Sequence, residues 1–147
     1  MPKYSVGIDI AAPVEKVFGA VSDLTRHAAW SADPLEITPD QEGPVALGKS
    51  YHSTAQSKGK TITAELAVTQ LVPPNRFAFS VKDLTGDYVH EFRLAQNGGT
   101  THIDRNVTAT LGLKERVLFM IVFRPIKLPN TKAAMQRLKE YCESASG

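Results

Sequence analysis

The sequence predicts an α+β domain in which an antiparallel meander is bracketed by helical segments. Three observations carry that expectation. Tyr4, Val6, Ile8 and Ile10 are apolar at every second position, the signature of a half-buried strand over Lys3 to Ala11. Helical spacing follows at once from Pro13. After a long strand-and-turn middle, helical spacing returns from Leu113 toward the C-terminus.

Each element has a local reason. Pro13 suits a first helical position, where its missing N–H costs nothing, and Glu15 lies in the first turn, where the helix dipole favours negative charge. Val14, Val17, Phe18, Val21 and Leu24 then form one continuous apolar stripe. Ser22 or Asp23 can cap a second short helix running to about Trp30, and Asp33-Pro34 turns the chain. The middle is punctuated by Gly43-Pro44, Gly48, Lys58-Gly59, Pro73-Pro74-Asn75, Thr85-Gly86 and Asn97-Gly98-Gly99. Between these breaks lie strand segments at about 35–42, 49–57, 60–71, 76–83, 86–96 and 99–110. Short connections between consecutive strands make the pairing antiparallel. Shared faces are predicted for Ile62, Ala64, Leu66 and Val68, and for Phe77, Phe79 and Val81. Tyr88, His90, Phe92 and Leu94 share another, as do Ile103, Arg105, Val107 and Ala109. Leu113 to Arg124 is apolar around most of a helix. Pro125 and Pro129 are expected to kink or break it, with Asn130 or Thr131 capping a restart through Ala134, Met135, Leu138, Tyr141 and Cys142.

Composition narrows the function classes. A chain of 147 residues, 42% hydrophobic and 22% charged, is expected to form one domain over residues 1–147. Its 17 basic and 15 acidic residues are interspersed, which is no footprint for nucleic acid. One cysteine, Cys142, cannot close an internal disulfide, and the first ten residues lack the apolar core of a signal peptide; both point to the cytoplasm. The longest apolar run, Val117 to Phe123, is too short to cross a bilayer. Neither a nucleophile elbow, a P-loop nor a dinucleotide fingerprint is present. The histidines His27, His52, His90 and His102 have no chelating spacing, and His90 and Glu91 point to opposite faces of their strand, so neither a metal nor another cofactor is expected.

The order of elements, with IDIAAPVEKVFGAVSDLTRHAAW at 8–30, QLVPPNRFAFSV at 70–81, GGTTHIDRNVTA at 98–109 and RLKEYCE at 137–143, resembles the START, birch-pollen-allergen and polyketide-cyclase superfamily (SRPBCC). The Ala-Pro-x-Glu-x-Val-Phe and Val-Ser-Asp pieces followed by Trp30 are most similar to its bacterial polyketide cyclase/dehydrase branch. The resemblance implies a helix-grip fold: a curved antiparallel sheet wrapped around a long C-terminal helix, two short helices after the first strand, and a cavity for an apolar small molecule. It does not imply one activity.

Within that frame, candidate ligand-binding residues are Trp30, Tyr51, Phe79, Tyr88, His90, Phe92, Arg105 and Phe119. Arg105 interrupts an apolar strand face. Lining a cavity, it would pair with a ligand carboxylate, phosphate or enolate; otherwise its strand's other face is partly inward, or it pairs with a structural carboxylate such as Glu65. Tyr88 and His90 share a face and would orient a polar ligand group or exchange protons with an enolisable ketone; the alternative is a histidine satisfied by hydrogen bonds at the wall. Family geometry implies that Trp30 sits at the cavity mouth, stacking on a ring or plugging the end of the core. Of the neighbours Tyr51 and His52, Tyr51 is expected inward. Phe79, Phe92, Phe119 and Phe123 read as apolar lining. No assembled catalytic set is present, so a binding module leads. An enzyme of cyclase, aromatase or dehydratase type, using Tyr88, His90 and Arg105, comes second. Third is a domain docking transiently on a membrane surface or protein through 117–128, helped by Lys114, Arg116, Arg124, Lys127 and Lys132; the alternative is a helix buried between the sheet and the first helices. No long coiled-coil seam argues for an obligate oligomer, and the pattern leaves the oligomeric state open.

Overall fold

The computed structural model describes residues 3–30, 35–57, 59–83, 86–110 and 124–143. Their order is β1 (Lys3–Ile10), α1 (Val14–Ser22), a 3-10 helix (Leu24–Ala29), β2 (Leu35–Pro39), β3 (Ser50–Ser57), β4 (Lys60–Val72), β5 (Arg76–Asp83), β6 (Gly86–Asn97), β7 (Thr100–Thr110) and α2 (Arg124–Glu143). The strands form one antiparallel sheet in the order β1-β7-β6-β5-β4-β3-β2. The meander therefore pairs neighbour with neighbour, and the first strand adds to the edge beside the last.

Alternation decides the two faces. On β7, Thr101, Ile103, Arg105, Val107 and Ala109 are buried, whereas His102, Asp104, Asn106 and Thr108 are only partly so. Ala64, Leu66 and Val68 on β4, and Phe77 and Phe79 on β5, are buried on the same side. A register shift between Val68 and Gln70 accommodates an irregularity in β4. The β6–β7 hairpin turns through Gly98 at φ 65°, a left-handed backbone that glycine adopts freely. Gln96 beside this turn accepts a hydrogen bond from the Val14 amide at 2.7 Å, satisfying a donor at the start of α1.

Val17, Val21, Ile10, Met135 and Leu138 are fully buried in the main core, which joins α1 and α2 to the sheet. The described part of α2 packs mainly on β1, and the Ala11 amide donates to the Glu143 carboxylate at 2.7 Å. Of the kink or short break expected at the prolines, the break and its capped restart are corrected here. The helix runs unbroken through Pro129, and Thr131 is bonded to the Tyr4 hydroxyl at 3.0 Å instead of capping a restart. A proline removes one backbone bond from a helix. Burial of Ala134, Met135, Leu138 and Cys142 along the following turns offsets that loss. The segment 111–123, including Phe119 and Phe123, lies outside the described residues. No described helix is long and apolar enough to cross a membrane.

Candidate ligand-binding cleft

A cleft of about 150 Å³ opens on the inner face of the sheet, below the 3-10 helix. Its wall combines Ile37, Ser53, Leu66, Phe79 and Val81 with three nitrogen-bearing side chains, His27, His90 and Arg105. The strand register explains the grouping. Phe92 lies directly opposite Arg105 across β6 and β7, and Phe79 lies opposite His90 across β5 and β6. The Phe79 and His90 rings stack with centroids 5.0 Å apart and planes 4° from parallel.

The 3-10 helix supplies the lid of the arrangement. Asp23 caps its start by accepting from the Thr25 amide at 3.1 Å, and Trp30 closes its end. Three residues per turn place residues i and i+3 one above the other. His27 and Trp30 are so related, and their rings lie 4.1 Å apart.

Arg105 is the unusual member. Its residue is only 5% exposed. The guanidinium carbon sits 5.2 Å from the Phe92 ring centroid and 5.8 Å from that of Trp30, in range of cation–π attraction to both. Its Nη2 and Nε donate to His90 Nδ1 at 2.9 and 3.3 Å. Since a guanidinium only donates, Nδ1 of His90 is the acceptor and the ring proton belongs on Nε2. No carboxylate among the described residues pairs with Arg105. Glu65, the structural partner considered from sequence, is exposed and faces His52 at 3.9 Å. Burial lowers the Arg105 pKa to about 10, with the nearby Tyr4 acting in the opposite direction, so the cation persists at neutral pH.

His27 is held in the other state. Burial first, and the Arg105 charge second, push its pKa down to about 3, leaving a neutral imidazole. Its Nδ1 and the Trp30 Nε1 are both buried without a hydrogen-bond partner among the described residues. Such orphans are rare inside folded proteins and cost free energy when left unmet.

The sequence candidates are placed unevenly. Phe79, His90 and Arg105 line the cleft, with Phe92 packed beneath the guanidinium. Trp30 is wholly buried in the core, its ring edge-on to Phe92. Tyr51 is buried on the inner side while His52 is exposed, yet Tyr51 does not line the cleft. Tyr88 belongs to a separate buried cluster with Tyr4, Val107 and Ala109. Sequence reasoning passed over His27. The available signal was its spacing of three residues before Trp30 on a short helix.

A curved-sheet domain with an interior cleft and a long C-terminal helix defines the class: a helix-grip protein of the Bet v 1-like type. The family described as "Polyketide cyclase / dehydrase and lipid transport" matches residues 1–143, and the chain belongs to it. Among solved structures, a protein from Thermus thermophilus is similar at TM-score 0.78 and 18% identity, covering 99% of this chain and 100% of that one. A Chromobacterium violaceum protein is similar at TM-score 0.77 and 16% identity, covering 98% and 99%. A major latex-like protein of Panax ginseng is similar at TM-score 0.70 and 9% identity, covering 97% and 98%. These likenesses establish the fold. No curated protein matches the chain in sequence.

Proposed function

We propose that the protein binds an apolar or aromatic small molecule, lipid or polyketide in kind, in the cleft beneath the 3-10 helix, and acts as a carrier or sequestering module. The observation that carries this reading is the cleft itself, whose apolar wall is made by Ile37, Leu66, Phe79 and Val81. The family's description, which includes lipid transport, supports it. The buried Cys142, its thiol pushed up to about 11 by burial, suits a reducing compartment, and we place the protein in the cytoplasm.

A second reading has its own support. The Arg105–His90 pair sets a permanent cation beside an imidazole N–H, groups able to stabilise an enolate and exchange a proton in a cyclase, aromatase or dehydratase.

Native and denaturing mass spectra of freshly purified protein test the proposal. The expected result is a mass excess that disappears on denaturation, or saturable uptake of the neutral dye Nile red when the protein arrives empty. A bare chain that also ignores the dye overturns it. Steady turnover of an enolisable polyketide would select the enzyme reading instead.

A further inference from the structure

Charge accounting inside the cleft narrows the ligand further. His90 takes up the Nε/Nη2 edge of the Arg105 guanidinium. The end-on edge, formed by Nη1 and Nη2, presents two parallel N–H groups, the geometry that matches a carboxylate. No acid among the described residues occupies that edge, although a buried charge is normally paired. The two imidazoles of the wall do not add a second charge: the buried His27 is neutral, and the half-buried His90 offers a lone pair to the arginine. Among the described residues, the wall therefore carries a single positive charge. A dianionic phosphate would leave a net buried negative charge, whereas a carboxylate would balance the site. Size sets a second limit on the enclosed part of the ligand, because an apolar void of roughly 150 Å³ accommodates about one benzene ring, and a longer body would extend through the cleft's opening. The Nδ1 of His27, which is 8% exposed, is a further unmet polar atom in the wall.

We infer that the cleft takes a compact apolar monocarboxylate, of aryl or short branched-chain type, with its carboxylate on the end-on edge of Arg105 and its apolar body against Phe79, Leu66, Val81 and Ile37. The inference deepens the binding proposal and rests on the cleft being the binding site.

The single tryptophan gives a direct reporter, since one indole N–H resonance belongs to Trp30, beside the guanidinium. Nitrogen-15 labelled protein is titrated with benzoate, its neutral analogue benzyl alcohol, and phenyl phosphate. The expected result is a saturable shift of the indole resonance with benzoate, at an affinity at least about tenfold above that for benzyl alcohol, as a charge-assisted pair supplies. Phenyl phosphate at neutral pH should bind more weakly than benzoate. Arg105→Gln should reduce benzoate affinity to the level of the alcohol. The benzoate preference of the unaltered protein decides the matter even where that variant fails to fold. Equal binding of benzoate and benzyl alcohol, preference for the phosphate, or no response to benzoate overturns the inference. Nile red uptake without benzoate binding removes the carboxylate alone; loss of both removes the cleft as a ligand site.

Discussion

Adjacent residues of β7 face two different solvents. Arg105 points into the sheet's inner face with His90 and His27, while Asp104 and His102 belong to the outer face, where His102 bridges Asp9 at 2.7 Å and Asp104 at 3.1 Å. Both clusters combine imidazole with a full charge, and their pKa values shift in opposite directions. Outside, the hydrogen bond to Asp9, and more weakly that to Asp104, raises the His102 pKa. Inside, desolvation and the Arg105 cation drive His27 down to about 3. Residue type alone does not set the chemistry. Burial and the sign of the nearest charge do, and the alternation of a single strand assigns both.

The contrast can be broken in two ways before it is measured directly. The largest effect is expected from Phe92→Ala, which removes a fully buried ring from beneath the guanidinium. Loss of the ring should cost about 3–5 kcal/mol in urea-induced unfolding. A cost under ~1 kcal/mol would show that the inner cluster is loosely packed.

A smaller effect concerns acid stability. The folded pKa of His27 lies below the ordinary value of 6.5, so the unfolded chain takes up a proton first as pH falls. Its contribution is complete above about pH 6.5 and is lost progressively from there toward pH 3, with a limiting slope of about 1.4 kcal/mol per pH unit. His102 works in the opposite direction: its raised folded pKa favours the fold below about 6.5, and the benefit fades as pH rises through the folded value. Asp40 and Glu143, both lowered by hydrogen bonds, add acid sensitivity only near the carboxylate range. Replacing His27 by Gln should therefore flatten the stability profile between pH 6.5 and 5, as read by denaturant midpoints. An unchanged profile would place His27 in contact with water.

Much of the fold was legible because period-two alternation survives in nearly every strand. The faces of β4 through β7 follow from Leu66, Phe79, Phe92 and Ile103 alone, and Asp23 signalled the start of the 3-10 helix. Pro129 does not break the helix, because a proline's local cost competes with packing several residues later, which spacing does not weigh. The cleft was half legible. Arg105 and His90 stood out as polar residues on apolar strand faces. His27 did not, since its burial depends on how the 3-10 helix settles over β2, a tertiary fact. Tyr88 shows the converse: it shares a face with His90, but the sheet extends far enough for neighbouring inward residues to belong to different clusters.

Among the described residues, the inner face holds a desolvated cluster with one full charge, whereas the outer face of the same strand is solvent-exposed. Imidazole titrations by nuclear magnetic resonance test it most directly, with each histidine assigned by substitution. His27 should show no titration from pH 8 down to about 4, and His102 should titrate with a midpoint above 6.5. A His27 midpoint near 6.5 would contradict it, because a solvated imidazole there means that water already screens Arg105 and the cleft has no unmet charge to offer a ligand.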